Sequence, residues 1–219
     1  MMNEKTGQIF SIAVDNAPVQ GCTVSKLVKE ISGRRISHFS LAAGTDISAE
    51  TYPAHKFWIA AGGDLAAMDG NGHEISLMPG DIFVTPIGNP IGIKTLHGGI
   101  YTEIETDKDM TMNKAIEAGK AFMLKDLLPY AEGRIVNMDI ASNPKMKFVL
   151  MSFSAGTGLS EHAAPGEAII FALDGEGIIG YEGKEHVIHA GENFAFAKNG
   201  AHWVKAEKPF KMALLLMFD

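Results

Sequence analysis

The chain repeats itself, and this constrains its fold more than any other feature. Gly7 opens GQIF and Gly119 opens GKAF; Gly44 lies in LAAGT and Gly156 in FSAGT; Gly21 and Gly133 form a third pair. Each pair is 112 residues apart, and the offset carries on through Ser48 and Ser160, Pro53 and Pro165, and Gly63 and Gly175. It then drops to 111, pairing Gly72 with Gly183, Gly80 with Gly191 and Lys94 with Lys205. A one-residue change between Gly63 and Gly72 is what a hairpin turn absorbs without disturbing the strands on either side. Register held this long is a duplication. It predicts two homologous domains, 1–108 and 109–219, joined through the polar segment ETDKDMTMN at 105–113.

Within each half the signals are strand signals. Arg34 to Leu41, Lys56 to Ala61, Ile82 to Thr85 and Gly99 to Glu105 are short and β-rich. In the second half, so are Lys147 to Ser154, Ala168 to Leu173, Gly177 to Tyr181, His186 to His189, Asn193 to Ala197 and Phe210 to Phe218. Gly, Asn, Asp or Pro separates most of them, and 24 glycines supply the turns. In the last strand Phe210, Met212, Leu214, Leu216 and Phe218 share one face and Lys211, Ala213, Leu215 and Met217 the other. Both faces are mostly apolar, so the strand is expected to be covered on both sides. Only Met112 to Tyr130 reads as partly helical, through Leu124, Leu127 and Leu128, ending at Pro129. Many short strands per hundred residues point to an all-β sandwich or barrel in each half.

Charge and cysteine content exclude several functions. Nineteen basic against 26 acidic residues leave a net charge of −7, which argues against nucleic acid or an anionic membrane surface as main partner. No run of eighteen apolar residues marks a membrane span. The start, Met1 to Gly7, lacks an apolar signal core, and the single Cys22 cannot form an internal disulfide, so a cytoplasmic location is expected.

The glycine spacing resembles that of the cupins, small jelly-roll barrels. Their first motif runs Gly, five residues, His-x-His, three or four residues, Glu, six residues, Gly. Here Gly156 precedes His162 by that interval and Gly175 closes the motif. In the second motif Gly191 opens and His202 takes the histidine position, while the first half keeps Gly44, Gly63, Gly80, Pro86 and Gly88. The resemblance covers nearly the whole chain and implies two tandem cupin barrels, a bicupin. In such barrels two histidines on one strand, a glutamate and a later histidine hold Fe, Mn, Ni, Zn or Cu.

At those ligand positions the second half reads His162, Ala164, Ala168 and His202, and the first reads Glu50, Tyr52, Lys56 and Ile91. Glu167 lies one residue before the glutamate position, as His55 does in the first half. One residue separates the inside of a strand from the outside, and a register shift at Ala164-Pro165-Gly166 would be needed to bring Glu167 in. His162 and His202 are thus the candidate ligand-binding pair, with Glu167 a third candidate. A divalent transition metal on two histidines is expected to be weakly held, because three or four protein ligands are the norm. Glu50, Tyr52, His55 and Lys56 are candidates to line a polar pocket in the first barrel, against surface or scaffold roles.

Other patterns carry less. His186 and His189 fall on opposite faces of a strand. GEGIIG at 175–180 fits a dinucleotide fingerprint, but no helix follows it. Ser160 with His162 lacks a nucleophile elbow. Trp203 should point to the opposite side of its strand from His202. Two functions follow from the resemblance. One is a small-molecule-binding barrel with a degenerate metal site in the second half. The alternative is a metal-dependent dioxygenase, isomerase or decarboxylase acting on a small acid or sugar there. A third reading makes the first half a structural cover for the second. A homodimer stays open.

Overall fold

A computed structural model describes residues 2–218. The strands are β1 (Ile9–Phe10), β2 (Thr23–Ile31), β3 (Arg34–Leu41), β4 (Asp46–Glu50), β5 (Lys56–Gly63), β6 (Leu65–Asp69), β7 (Glu74–Leu77), β8 (Asp81–Val84), β9 (Ile91–Lys94) and β10 (Gly99–Glu105). They continue as β11 (Thr111–Met112), β12 (Ala121–Met123), β13 (Ile135–Asn143), β14 (Met146–Phe153), β15 (Thr157–Ala163), β16 (Glu167–Tyr181), β17 (Lys184–His189), β18 (Asn193–Phe196), β19 (Ala201–Ala206) and β20 (Phe210–Met217). The described helical residues are a single α-turn, α1 (Ile12–Asp15), and a 3-10 turn at Leu124–Asp126. The helix expected across Met112 to Tyr130 is therefore reduced to that one turn. Leu124 and Leu128 are buried, but β11 and β12 claim the backbone before them.

The chain forms two compact β units. The N-repeat barrel comprises Ile12–Met110 with Lys114–Met123. The order β12-β8-β5-β10-β3-β2 makes one antiparallel sheet and β4-β9-β6-β7 the other. Alternate residues of both sheets, including Leu41, Trp58, Ala67, Phe83, Ile93 and Tyr101, build its core. The C-repeat barrel comprises the segment ending at Ser11, Thr111–Asn113 and everything from Leu124. Its main sheet runs β1-β18-β16-β20-β14-β13-β11. The 15-residue β16 belongs to both of its layers. Glu167 to Gly175 pair with β20, and Glu176 to Tyr181 pair with β17, with β19 alongside. GEGIIG is thus the middle of one strand, and β20 is sandwiched as its two apolar faces require.

The repeat offset maps strand on strand. Gly63 and Gly175 sit where the two layers join, both with positive φ (+73° and +72°), and a Cβ on either would run into a carbonyl oxygen, of Gly98 and Pro209 respectively. Only glycine meets both demands there. The leading segments, however, change places. Gly7 N donates to Ala195 O at 2.9 Å, and β1 adds to the β18 edge. Gly119 N donates to Val84 O at 2.8 Å, and β12 adds to the β8 edge. Each repeat's opening strand completes the sheet built by the other repeat, so no single cut near residue 108 separates the units.

Candidate functional site

Three neighbouring strands of the N-repeat barrel turn polar side chains inward. β10 pairs with β3 so that Tyr101 faces Phe39 and Glu103 faces Ser37, and with β5 so that Glu103 faces Trp58 and Glu105 faces Lys56. Directly opposed residues share a sheet face. With Tyr52 and Glu50 these residues line a cavity of about 290 Å³. That is near the lower end of ordinary small-molecule pockets, roughly 300–1,000 Å³. Phe39 and Tyr101 stack at 5.1 Å between centroids and 9° between planes.

The lining includes a nearly dry ion pair. Lys56 Nζ lies 2.8 Å from Glu103 Oε1 and 3.4 Å from Glu105 Oε1, and 4.4 Å from the centre of the Tyr52 ring. Trp58 Nε1 donates to the other Glu103 oxygen at 2.8 Å. Glu103 is 7% exposed, so both oxygens need these partners. Burial, then the neighbouring Glu103, pushes the Tyr52 and Tyr101 phenols above their ordinary range, and both stay protonated donors. Of the cupin ligand positions in this half, Glu50, Tyr52 and Lys56 reach the cavity, Ile91 packs in the core, and an ammonium takes the glutamate's place. His55, one residue off, donates from Nδ1 to the Thr85 carbonyl at 2.7 Å. Sequence reasoning missed Glu103, Glu105 and Arg35. Their signal was period-two spacing of Tyr101, Glu103 and Glu105, whose repeat counterparts are Met212, Leu214 and Leu216.

A second hollow of about 550 Å³ in this unit carries Asp69 as a charged lining residue. That carboxylate is occupied by His73 and the backbone of Asn71, and it sits below its ordinary pKa because of those bonds.

In the C-repeat barrel His162 and His202 are brought together. They are register partners on β15 and β19, with ring centroids 4.3 Å apart. Nδ1 of His162 meets the Ser160 carbonyl at 2.8 Å, and Nδ1 of His202 meets the Gly200 carbonyl at 2.9 Å. A carbonyl only accepts, so both Nδ1 atoms carry a proton, and in the neutral rings Nε2 is the nitrogen with the lone pair. His202 is buried and stacked on Phe196 at 4.2 Å, and burial lowers its pKa below 6.5, with His162 adding to the effect. His162 is exposed.

Glu167 is not brought to this pair. Ala168 and Ile170 face the core, so Glu167 faces the other way by strand alternation, and its Oε1 accepts from Met2 N at 3.1 Å. The turn at Ala164-Pro165-Gly166 leaves that parity intact. Among the described residues no group of three His, Cys, Asp or Glu side chains could hold a metal ion. Two imidazoles without a carboxylate do not fit a three- or four-ligand metal centre. Around them the interior is apolar: Val149, Ile170, Met212 and Leu214 stand where the N-repeat barrel has Ser37, Trp58, Tyr101 and Glu103. His186 faces inward against Phe194 at 5.1 Å, while exposed His189 binds Glu192, as opposite faces require. Trp203, opposite in parity to His202, covers Gly180, where a Cβ would strike its indole.

Among the described residues no helix is long and apolar enough to cross a membrane. The Cupin domain family matches residues 149–218. A cupin 2 conserved barrel domain protein from Leptotrichia buccalis is 26% identical, with 99% of each chain covered and a TM-score of 0.86. A salicylate 1,2-dioxygenase from Pseudoaminobacter salicylatoxidans is 13% identical over 84% of this chain and 71% of that one, with a TM-score of 0.59, a likeness of fold alone. No curated protein matches in sequence. With two jelly-roll units laid out strand for strand on one repeat, the chain has a cupin-like fold, and its residues 149–218 match the Cupin domain family.

Proposed function

We propose that the protein binds a small molecule, and that the cavity of the N-repeat barrel is where it does so. The observation that carries this is convergence: charged, hydroxyl and aromatic side chains from β3, β5 and β10 meet around an open volume beside the packed core. A chain kept only as a cover would gain more from apolar residues there, since a buried ion pair is seldom worth more than well-packed hydrophobic replacements. The C-repeat barrel retains a degenerate site in His162 and His202.

The test is a thermal-shift screen of polar metabolites against the whole protein and a Ser37→Phe variant, which fills the cavity. Ligands that raise the melting temperature of the first and not the second support the reading. Ligands that raise both equally place binding elsewhere.

The second reading is a metal-dependent enzyme working through the C-repeat barrel on a small acid or sugar. It is favoured by the two Nε2 lone pairs left free. Its test is elemental analysis of untagged protein purified without chelator, beside a His162→Ala/His202→Ala variant. We expect well under one metal ion per chain. About one Fe, Mn, Ni, Zn or Cu per chain, lost in the variant, would favour the enzyme.

A further inference from the structure

The N-repeat cavity has a charge sign. Arg35 and Lys56 face Glu50, Glu103 and Glu105, so its ionised side chains carry a net −1. Lys56 is shared by Glu103 and Glu105, at 2.8 and 3.4 Å. Arg35 stands 4.0 Å from Glu105 with its side chain 63% exposed, where water screens it. Glu50, exposed and opposite Ile91 on β9, is the carboxylate left without a close cation in that group.

The two phenols feel the same field. Besides burial, Glu103, Glu50 and Glu105 all disfavour ionisation of Tyr52. An anion entering here would meet a lining of net negative charge and lose its hydration shell, a double cost in a partly dry site.

The walls favour the opposite sign. Aromatic faces attract cations through their quadrupole. The chain itself shows the fit, since the Lys56 ammonium rests over the Tyr52 ring between two carboxylates. The Phe39 and Tyr101 stack offers a further apolar wall.

We propose that the N-repeat barrel selects a small organic cation, an ammonium group on an apolar or aromatic body, with Glu50 as its counter-charge and Phe39 and Tyr52 among its walls. This rests on the binding reading above and adds the charge of the ligand.

Three probes of one shape and different charge test it: benzylamine, benzyl alcohol and benzoate, titrated calorimetrically into the whole protein at low salt. Benzylamine should bind at least tenfold tighter than benzoate, with the alcohol between. Glu50→Gln should weaken benzylamine about tenfold and leave the alcohol unchanged, and 0.5 M salt should narrow the amine's advantage. Benzoate binding more tightly than benzylamine overturns the charge assignment and leaves small-molecule binding standing. Equal affinities, or no binding of any probe at millimolar concentration, also overturn it. The metabolite screen with Ser37→Phe then decides separately whether the binding reading falls too.

Discussion

Replacing Lys56 by Met tests whether the cavity is held open by charge. The side chain keeps similar bulk, so the main loss is one ammonium. That group lies 2.8 Å from Glu103 in a pair whose side chains are 18% and 10% exposed. At this distance two unit charges attract by roughly 6 kcal/mol for an effective dielectric of about 20, most of which offsets the cost of drying both groups. The cost of removing one partner is larger than the net worth of the pair. Glu103 is left with Trp58 Nε1 as its close donor and Glu105 as a like charge nearby. Such orphaned charges cost about 3–5 kcal/mol. For a chain of this size that is a fall in Tm on the order of 10 °C. The assay is chemical denaturation of wild type, Lys56→Met, Glu103→Gln and the double variant. The double variant should recover at least half of the loss, because it removes the orphaned charge. A loss below about 1 kcal/mol, the value of an exposed pair, would refute the account of a dry ion pair.

Three further outcomes follow from the geometry. His202 has a depressed pKa through burial, so its stabilising contribution is present above pH 6.5 and lost as pH falls below its folded value. Denaturation midpoints should therefore drop from pH 7 to pH 5, and His202→Gln should flatten that slope; an unchanged slope would rule His202 out as its source. Gly175→Ala places a Cβ at positive φ against the Pro209 carbonyl and should cost roughly 2–4 kcal/mol in a denaturation curve, where a surface change would give under ~0.5 kcal/mol. A fragment of residues 109–219 lacks β1 and uncovers the β18 edge, so light scattering should find it aggregated. A clear monomeric solution of that fragment would contradict this.

The fold was legible because the repeat offset is a statement about backbone. Gly63 and Gly175 are read 112 residues apart in sequence and prove to hold the same positive-φ corner in two barrels, each two residues past the same bulge. His162 and His202 were legible for the same reason, since they hold fixed places relative to Gly156 and Gly191. The exchange of β1 and β12 was not, because an edge strand pairs equally well with either copy's sheet, and spacing does not say which. The polar cavity is hidden from the sequence for a different reason. In β10, Tyr101, Glu103 and Glu105 alternate with Ile100, Thr102 and Ile104. Alternation alone turns the carboxylates outward. They turn inward because Lys56 and Trp58, more than forty residues away in sequence, wait there as partners.

The exchanged strand also sets an order of events during synthesis. Ile9 leaves the ribosome 185 residues ahead of its partner Phe194. At about 5–20 residues per second the opening strand is idle for roughly 10–40 s before its docking edge exists. β12 has no such delay, since β8 precedes it in the chain. The N-repeat barrel can thus close as soon as Met123 is made, while the C-repeat barrel must wait for β18 before it can take up a strand made long before.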